Sequence, residues 1–371
     1  MATLTVTTTH SYVGEPLDDI TDIVFNDPGG SGFVIATFDA AQFDDVQISQ
    51  SVQVTRDSDQ PCQINVGGIS GTFSIAAWTF NVPQVVVRMA GTGSADTMTG
   101  SSQTLSGFQG GAGADTLIGG SFGNTFLYGS GTEVEAGETI TGGAGQDTLQ
   151  IGAGGDSFDF SVATLSSIDK VQFFPGSSPT TVTFSGNQIG AGVTIEDSSS
   201  AAITLIVVGT AVDLSSVGFT AWDSLTDSVR VNGTAGIDSL IGSEAFDILA
   251  GGVGKDTLTG GFDADDFDFN LKTESKKGAN RDVITDFSGV GGELDQLDLS
   301  GIDAKKGAGN QAFHFIGAKH FHDKAGELHY LKKAGFVIVE GDTNGDGRAD
   351  FQIEVHNPTN DLKLFLADFI L

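Results

Sequence analysis

The chain has 371 residues, enough for two or three domains with a sizeable core, and a formal net charge of −31 at pH 7. That charge is uneven: 32 acidic residues against 5 basic up to Asp268, a net of −27, then 16 against 12 from Phe269 onward, a net of −4. So acidic a chain has no basic footprint for nucleic acid, its single cysteine excludes an intramolecular disulfide framework, and no segment approaches the ~20 uninterrupted apolar residues of a membrane span.

Residues 1–90 read as a β-rich segment. Runs rich in Val, Ile, Thr and Phe alternate with period two, Asp and Gly turns punctuate them, and no long amphipathic helix is expected. The start, Met1-Ala-Thr-Leu-Thr-Val-Thr7, has no basic stretch leading into an apolar one, so no secretory leader of that type is expected. Cys62 opens the alternating run Cys62-Gln-Ile-Asn-Val66, which predicts a buried strand position, with a reactive thiol as the alternative. Asp44, Asp45, Asp57 and Asp59 are carboxylates without a compelling catalytic arrangement.

From Gly91 a nine-residue period takes over. Gly251-Gly-Val-Gly-Lys-Asp-Thr-Leu-Thr is followed by Gly260-Gly-Phe-Asp-Ala-Asp-Asp-Phe-Asp, and the same frame fits 110–118, 142–150, 151–159, 233–241 and 242–250. This is G-G-x-G-x-D-x-U-x, a nonapeptide of calcium-binding parallel β-rolls. Its glycines permit the positive φ a sharp six-residue turn needs and leave backbone carbonyls free to point inward. The sixth residue adds a carboxylate, and hard oxygen ligands suit calcium, which takes roughly 6–8 of them. The last three residues make a short strand whose eighth position fills a narrow core: Met98, Leu117, Phe126, Leu149, Phe158, Leu240, Leu249, Leu258 and Phe267.

One loop cannot supply enough oxygens, so several calcium ions must be shared between stacked loops. Units two apart share a side, which puts Asp238 over Asp256 and Asp247 over Asp265, with rungs roughly 4.8 Å apart. The expected ligands in the first block, residues 91–159, are Asp96, Gly111, Gly113, Asp115, Asn124, Gly143, Gly145, Asp147, Gly152, Gly154 and Asp156. In the second, residues 233–268, they are Gly236, Asp238, Asp247, Gly252, Gly254, Asp256, Gly261, Asp263 and Asp265. The first block is untidy. Gly100–Phe108 lacks the Asp, Asn124 stands in for one, and residues 128–141 are expected to interrupt the roll.

The β-rich spacer, residues 160–232, resembles the N-terminal segment. Val87-Arg-Met-Ala-Gly-Thr-Gly-Ser-Ala-Asp96 aligns without gaps with Val229-Arg-Val-Asn-Gly-Thr-Ala-Gly-Ile-Asp238, and Ala77-Trp78 answers Ala221-Trp222. The expectation is a tandem duplication, each copy a β segment leading as continuous solenoid into a calcium roll.

Residues 269–371 carry different text: Arg281-Asp-Val-Ile-Thr-Asp-Phe-Ser288, Asp298-Leu-Ser-Gly-Ile-Asp303, Ala325-Gly-Glu-Leu-His-Tyr330 and the ending Ala367-Asp-Phe-Ile-Leu371. From about residue 233 onward the chain resembles the C-terminal domain of serralysin-type metallopeptidases, secreted RTX proteins of Gram-negative bacteria. The resemblance implies a calcium β-roll with a β-rich C-terminal cap. It also implies export by a type I ABC transporter reading an uncleaved terminal signal, here Asp368-Phe-Ile-Leu371. The peptidases' H-E-x-x-H is missing: the histidines are His10, His314, His320, His322, His329 and His356, none in that arrangement.

Four smaller constellations each have a bland counterpart. Gly119-Gly-Ser-Phe-Gly123 matches a nucleophile elbow but sits in repeat frame. Asp342, Asn344, Asp346 and Asp350 open like an EF-hand loop, but Ile353 stands where the bidentate Glu belongs, so a calcium site and a tight hairpin both remain open. His320 and His322 with Asp323 could ligate a transition metal or be exposed on a loop. Lys276, Lys277 and Arg281 read as an internal complement to the acidic roll.

The sequence therefore predicts an all-β protein: a parallel β-roll or β-solenoid with two calcium-binding repeat blocks and a C-terminal cap. Its expected role is that of a secreted, extracellular structural or interaction protein, adhesin-like or surface-layer-like, without a catalytic site of its own. Self-association or a cell-surface or polysaccharide partner would follow. The alternative is an extracellular enzyme, polysaccharide-acting or serralysin-related, with an unrecognised active site.

Overall fold

The computed structural model describes residues 2–26, 33–57, 61–81, 85–307, 309–357 and 362–371, of which two compact units are built: residues 1–180 with 194–201, and residues 181–193 with 202–371. The expectation for Asp59 lies outside the described residues. Among the described residues the only helices are short 3-10 turns, and no helix is long and apolar enough to cross a membrane.

The first unit is a parallel solenoid. One sheet runs through His10–Ser11, Val34–Asp39, Cys62–Ile69, Val85–Gly91, Leu105–Gln109, Asn124–Tyr128, Thr148–Gly154, Lys170–Ser178 and Thr194–Asp197. Opposite it lies a sheet of Ala2–Val6, Ile20–Phe25, Ile48–Arg56 and Thr79–Phe80, and then one of Thr72–Ser74, Thr97–Thr99, Thr116–Ile118, Thr139–Thr141 and Thr164–Ser166. The nonapeptide strands of this last sheet are only three residues long, because six of every nine residues are spent on the turn. The β segment and the repeats thus form one continuous ladder.

Residues 128–141 do not interrupt it. Thr139–Thr141 pairs in register with Thr116–Ile118, and the extra residues form an excursion containing the 3-10 turn Gly131–Glu133. The physical reason is local: Glu138-Thr-Ile-Thr141 repeats the Asp-Thr-Leu pattern with one longer acid, so the strand re-enters on the same rung. The frame proposed for 151–159 breaks instead. Strand Thr148–Gly154 runs straight through Gly152 and Gly154, which make no turn, and Asp156 is exposed.

In the second unit one sheet runs through Thr180–Ser185, Ile203–Val208, Ser228–Asn232, Asp247–Ala250, Asp266–Asp268, Gln296–Asp298 and the terminal Phe369–Ile370. The other begins Ala211–Asp213, Ser239–Ile241, Thr257–Thr259, Asp282–Ile284 and continues through Phe351–His356. There the topology changes: Glu327–Lys332, Phe336–Asp342 and Phe351–His356 pair antiparallel, giving the cap its hairpins. Leu297 pairs with Phe369 and Asp298 with Ile370, so the chain's last residues close a rung.

Both cores contain the predicted eighth-position side chains. Met98, Leu117, Phe126, Leu149, Leu240, Leu249, Leu258 and Phe267 are fully buried and Phe158 nearly so. Each such side chain contributes about 1.5–3 kcal/mol by leaving water. Phe108 stacks on Phe126 with ring centroids 4.9 Å apart, the rung spacing expressed in aromatic rings. Cys62 is 1% exposed and burial pushes its thiol up to about 11, which removes the reactive-thiol alternative.

Candidate metal centre

The sixth residue of each turn enters the ladder directly. The backbone N–H of Asp238 donates to Asp256 Oδ1 (2.8 Å) and that of Asp247 to Asp265 Oδ1 (3.0 Å), the stacking expected from the spacing. In the first unit Asp96 N–H donates to Asp115 Oδ1 (2.8 Å), and Asn124 N–H to Asp147 Oδ1 (2.9 Å). Each carboxylate is thereby held by one oxygen on the coil before it, inside a turn that withdraws it from water.

The other oxygen is the informative one. Asp115 Oδ2, Asp147 Oδ2, Asp256 Oδ2 and Asp265 Oδ2 are buried with no hydrogen-bond partner, as is Asp247 Oδ1. A buried polar atom left unmet costs about 1–3 kcal/mol, more when charged. Five such atoms on the seams between coils therefore mark a systematic demand for a partner. Burial, reinforced by like-charged neighbours, raises these groups: Asp115 and Asp256 to about 6, Asp247 by burial alone to about 7, Asp265 to about 9. Without a cation, burial shifts each of these groups toward the protonated acid.

The glycines shape the cradle. At Gly111, Gly143, Gly252 and Gly261 φ is positive, and a Cβ there would collide with the carbonyl oxygen of Thr92, Gly120, Thr234 and Ser243 on the neighbouring coil. A Cβ on Gly251 would sit 2.7 Å from Asp256 Oδ2, and one on Gly233 would meet both Gly251 O and Asp238 Oδ2. Gly113, Gly145 and Gly254 are equally tight against the preceding loop, Gly254 against Gly236 O. Carbonyl and carboxylate oxygens thus converge where side chains are missing. Among the described residues no three acidic, His or Cys side chains cluster, so a cation here must take most of its oxygens from the backbone. That donor set fits a hard divalent ion that accepts many oxygen ligands.

Not every expected residue joins the seam. Asp263 is exposed with φ at +73° and caps its own turn through Ala264 N–H (3.0 Å). Asp156 lies outside, together with Gly152 and Gly154. Conversely, the ladder recruits acids that stand outside the nonapeptide frame. Asp115 N–H donates to Glu138 Oε2 (3.3 Å), Asp147 N–H to Asp169 Oδ2 (2.8 Å), Asp256 N–H to Asp282 Oδ1 (2.8 Å) and Asp265 N–H to Asp295 Oδ1 (3.1 Å). Asp282 is fully buried with Oδ2 unpartnered, and burial followed by the charge of Asp256 raises it to about 8. The signal was present as an acid two residues before a buried apolar residue: Glu138-Thr-Ile, Asp169-Lys-Val, Asp282-Val-Ile and Asp295-Gln-Leu.

The smaller constellations resolve differently. Asp342 is fully buried but saturated by the chain, accepting from Asn344 and Gly345 N–H on Oδ1 and Gly347 N–H on Oδ2, while Asp350 binds Thr343 and Asn344 and Asp346 receives Arg348 N–H. This is the hairpin geometry, with no orphaned oxygen. His320 and His322 are exposed, and His322 pairs with Glu327 (3.0 Å). Gly119–Gly123 lies in a roll turn between strands, without the strand-to-helix bend of an elbow. Of the three basic residues, Arg281 is bonded to Glu354 (2.5 Å), whereas Lys276 and Lys277 are exposed.

No curated protein matches the chain. Residues 108–130, 136–159 and 232–267, however, match the family model of the RTX calcium-binding nonapeptide repeat, in four copies. The stacked turns of this β-roll are therefore RTX repeats, and the metal that they bind is calcium.

Proposed function

We propose that this is a secreted, calcium-folded interaction protein, adhesin-like or surface-layer-like, whose solenoid assembles outside the cell. The observation that carries the reading is the row of buried carboxylate oxygens without partners on the seams between coils. Asp96, Asp115, Asp147, Asp238, Asp247, Asp256 and Asp265, with the turn carbonyls around them, would hold the ions. Glu138, Asp282 and Asp295 extend the same ladder. Calcium bound there neutralises the charge of the repeats and contributes folding free energy directly. RTX repeats support a type I secreted protein, since extracellular calcium is where such folding can occur. Absence of H-E-x-x-H and the use of the acidic clusters as ladder residues favour interaction over catalysis.

Circular dichroism during a calcium titration of metal-free protein, with light scattering on the same sample and binding to intact bacterial cells, tests the reading. β-Structure that forms with calcium and reverses with chelator, together with calcium-dependent association or cell binding, is expected. Unchanged order after complete chelation, or a folded monomer that binds no surface, would count against it.

A further inference from the structure

The duplication offers an internal comparison. Arg88 and Arg230 occupy the same place in the two aligned segments, on strands Val85–Gly91 and Ser228–Asn232. Arg230 is neutralised: its guanidinium reaches Asp268, 3.4 Å away and two rungs on. The rungs beside Arg88 have lost both parts of that arrangement. Arg88 faces Gly107 where Arg230 faces Ile248, and the residue at the place of Asp268 is Leu127. With no side chain on Gly107, the Arg88 stem lies along the sheet, its Cγ 3.2 Å from where a Cβ would stand. Among the described residues Arg88 is exposed and makes no ion pair.

This guanidinium lies in a shallow groove of about 540 Å³ across the parallel strands. The half of the chain up to Asp268 carries 32 acidic residues, yet no aspartate or glutamate lines the groove. Its polar lining is hydroxyl and amide: Thr37, Asn65, Thr125 and Gln150. Asn65 Oδ1 is occupied by Gln63 (2.5 Å), and Gln150 gives its Nε2 to Gln172 (2.8 Å), which leaves an amide NH₂ and an amide oxygen presented outward. Two acids share this sheet face beyond the groove: Asp39 accepts Ala41 N–H (2.9 Å), and Glu196 is taken by Lys170 (2.7 Å) and Gln172 (2.6 Å). Leu105, Leu127 and Phe174 add apolar surface between the polar rows.

We propose that this groove binds a carboxylate-bearing glycan, a chain containing uronic acid, laid across the rungs with a carboxylate on Arg88. The proposal rests on the interaction-protein reading and names its partner class. A guanidinium freed of its internal counter-ion is the group that pairs bidentately with a carboxylate. Alternating amides and hydroxyls at rung spacing match sugar hydroxyls, and the apolar strips accept the C–H faces of sugar rings. An acidic peptide fits less well. The backbone groups of these strands are committed to their own ladder, so no sheet edge is offered for strand addition, and no deep pocket would hold an anchoring side chain.

The test is isothermal titration of the calcium-saturated full chain with a hexamer of galacturonic acid, with cellohexaose and with a hexaglutamate peptide. Saturable binding of the uronate is expected, at least about tenfold tighter than cellohexaose, weakened at least about tenfold in Arg88→Ala and partly restored in Arg88→Lys. Arg88 is exposed, so the variants should keep the calcium-dependent dichroism of the wild type. No uronate binding, equal binding by Arg88→Ala, or equal binding of hexaglutamate would overturn the proposal. If the wild type folds with calcium yet binds no uronate, only this inference falls. If it fails to fold with calcium, the underlying reading falls with it.

Discussion

The backbone N–H of Asp256 donates to Asp282 Oδ1 across 2.8 Å, joining the last repeat turn of its side to a coil that is not a nonapeptide. Asp282 is buried, and its own N–H is held by Ser275 Oγ at 2.8 Å. Asp282→Ala would strip Asp256 N–H of its acceptor and leave it buried, at about 1–3 kcal/mol. The expected outcome is a lower melting temperature in calcium, whereas Asp282→Asn, which keeps an acceptor oxygen, should cost less in structure. Equal melting of wild type and Asp282→Ala would show that this contact carries no stability.

Complete removal of calcium should unfold the repeat coils, because it leaves five buried carboxylate oxygens of the repeats without partners at once. Hydrogen exchange of metal-free protein is expected to lose protection in strands Thr116–Ile118, Ser239–Ile241 and Thr257–Thr259. Retained protection there would contradict metal-linked folding.

Acid should partly replace the ion. Asp115 and Asp256 are raised to about 6, Asp247 to about 7, Asp282 to about 8 and Asp265 to about 9, from an ordinary 3.8, chiefly by burial. A raised folded-state pKa makes proton uptake favour the fold. The contribution is whole below about 4 and is lost as pH climbs through about 6 to about 9. Metal-free protein should therefore be more ordered near pH 5 than near pH 8, and the calcium needed at the folding midpoint should rise as pH rises between those values. Dichroism of dialysed protein at the two pH values decides it. Greater order at pH 8 without metal would reverse the sign and refute the argument.

Backbone space should matter as much as charge. Gly252 has φ of +85° and faces Thr234 O, so Gly252→Ala combines left-handed strain with a steric clash. The expected loss is about 1–3 kcal/mol, with weaker calcium binding though no ligand side chain is removed. A wild-type calcium titration curve for this variant would mean that the turn relaxes freely.

Much of this architecture was legible because two periods coincide. An acid at the sixth place and an apolar residue at the eighth place of each nine-residue unit let Asp256 be placed in the turn and Leu258 in the core without a structure. What escaped was governed by topology rather than by period. Glu138 and Asp282 follow insertions that throw the count of nine out of step, although each stands two residues before a buried apolar residue. Asp156 was misplaced for the converse reason: it keeps the count, but strand Thr148–Gly154 extends straight through the residues that should turn. The groove at Arg88 was invisible to motif reading, since its meaning lies in what the neighbouring rungs lack.

The final residues carry one more consequence. Asp368 is 1% exposed, its carboxylate clamped by Val290 N–H (2.6 Å) and Phe365 N–H (2.5 Å), and Phe369–Ile370 is stitched into the sheet. Order in Phe369–Ile370 therefore reports on the rung of Gln296–Asp298 beneath it: that pairing cannot form until the coil it closes is itself in place.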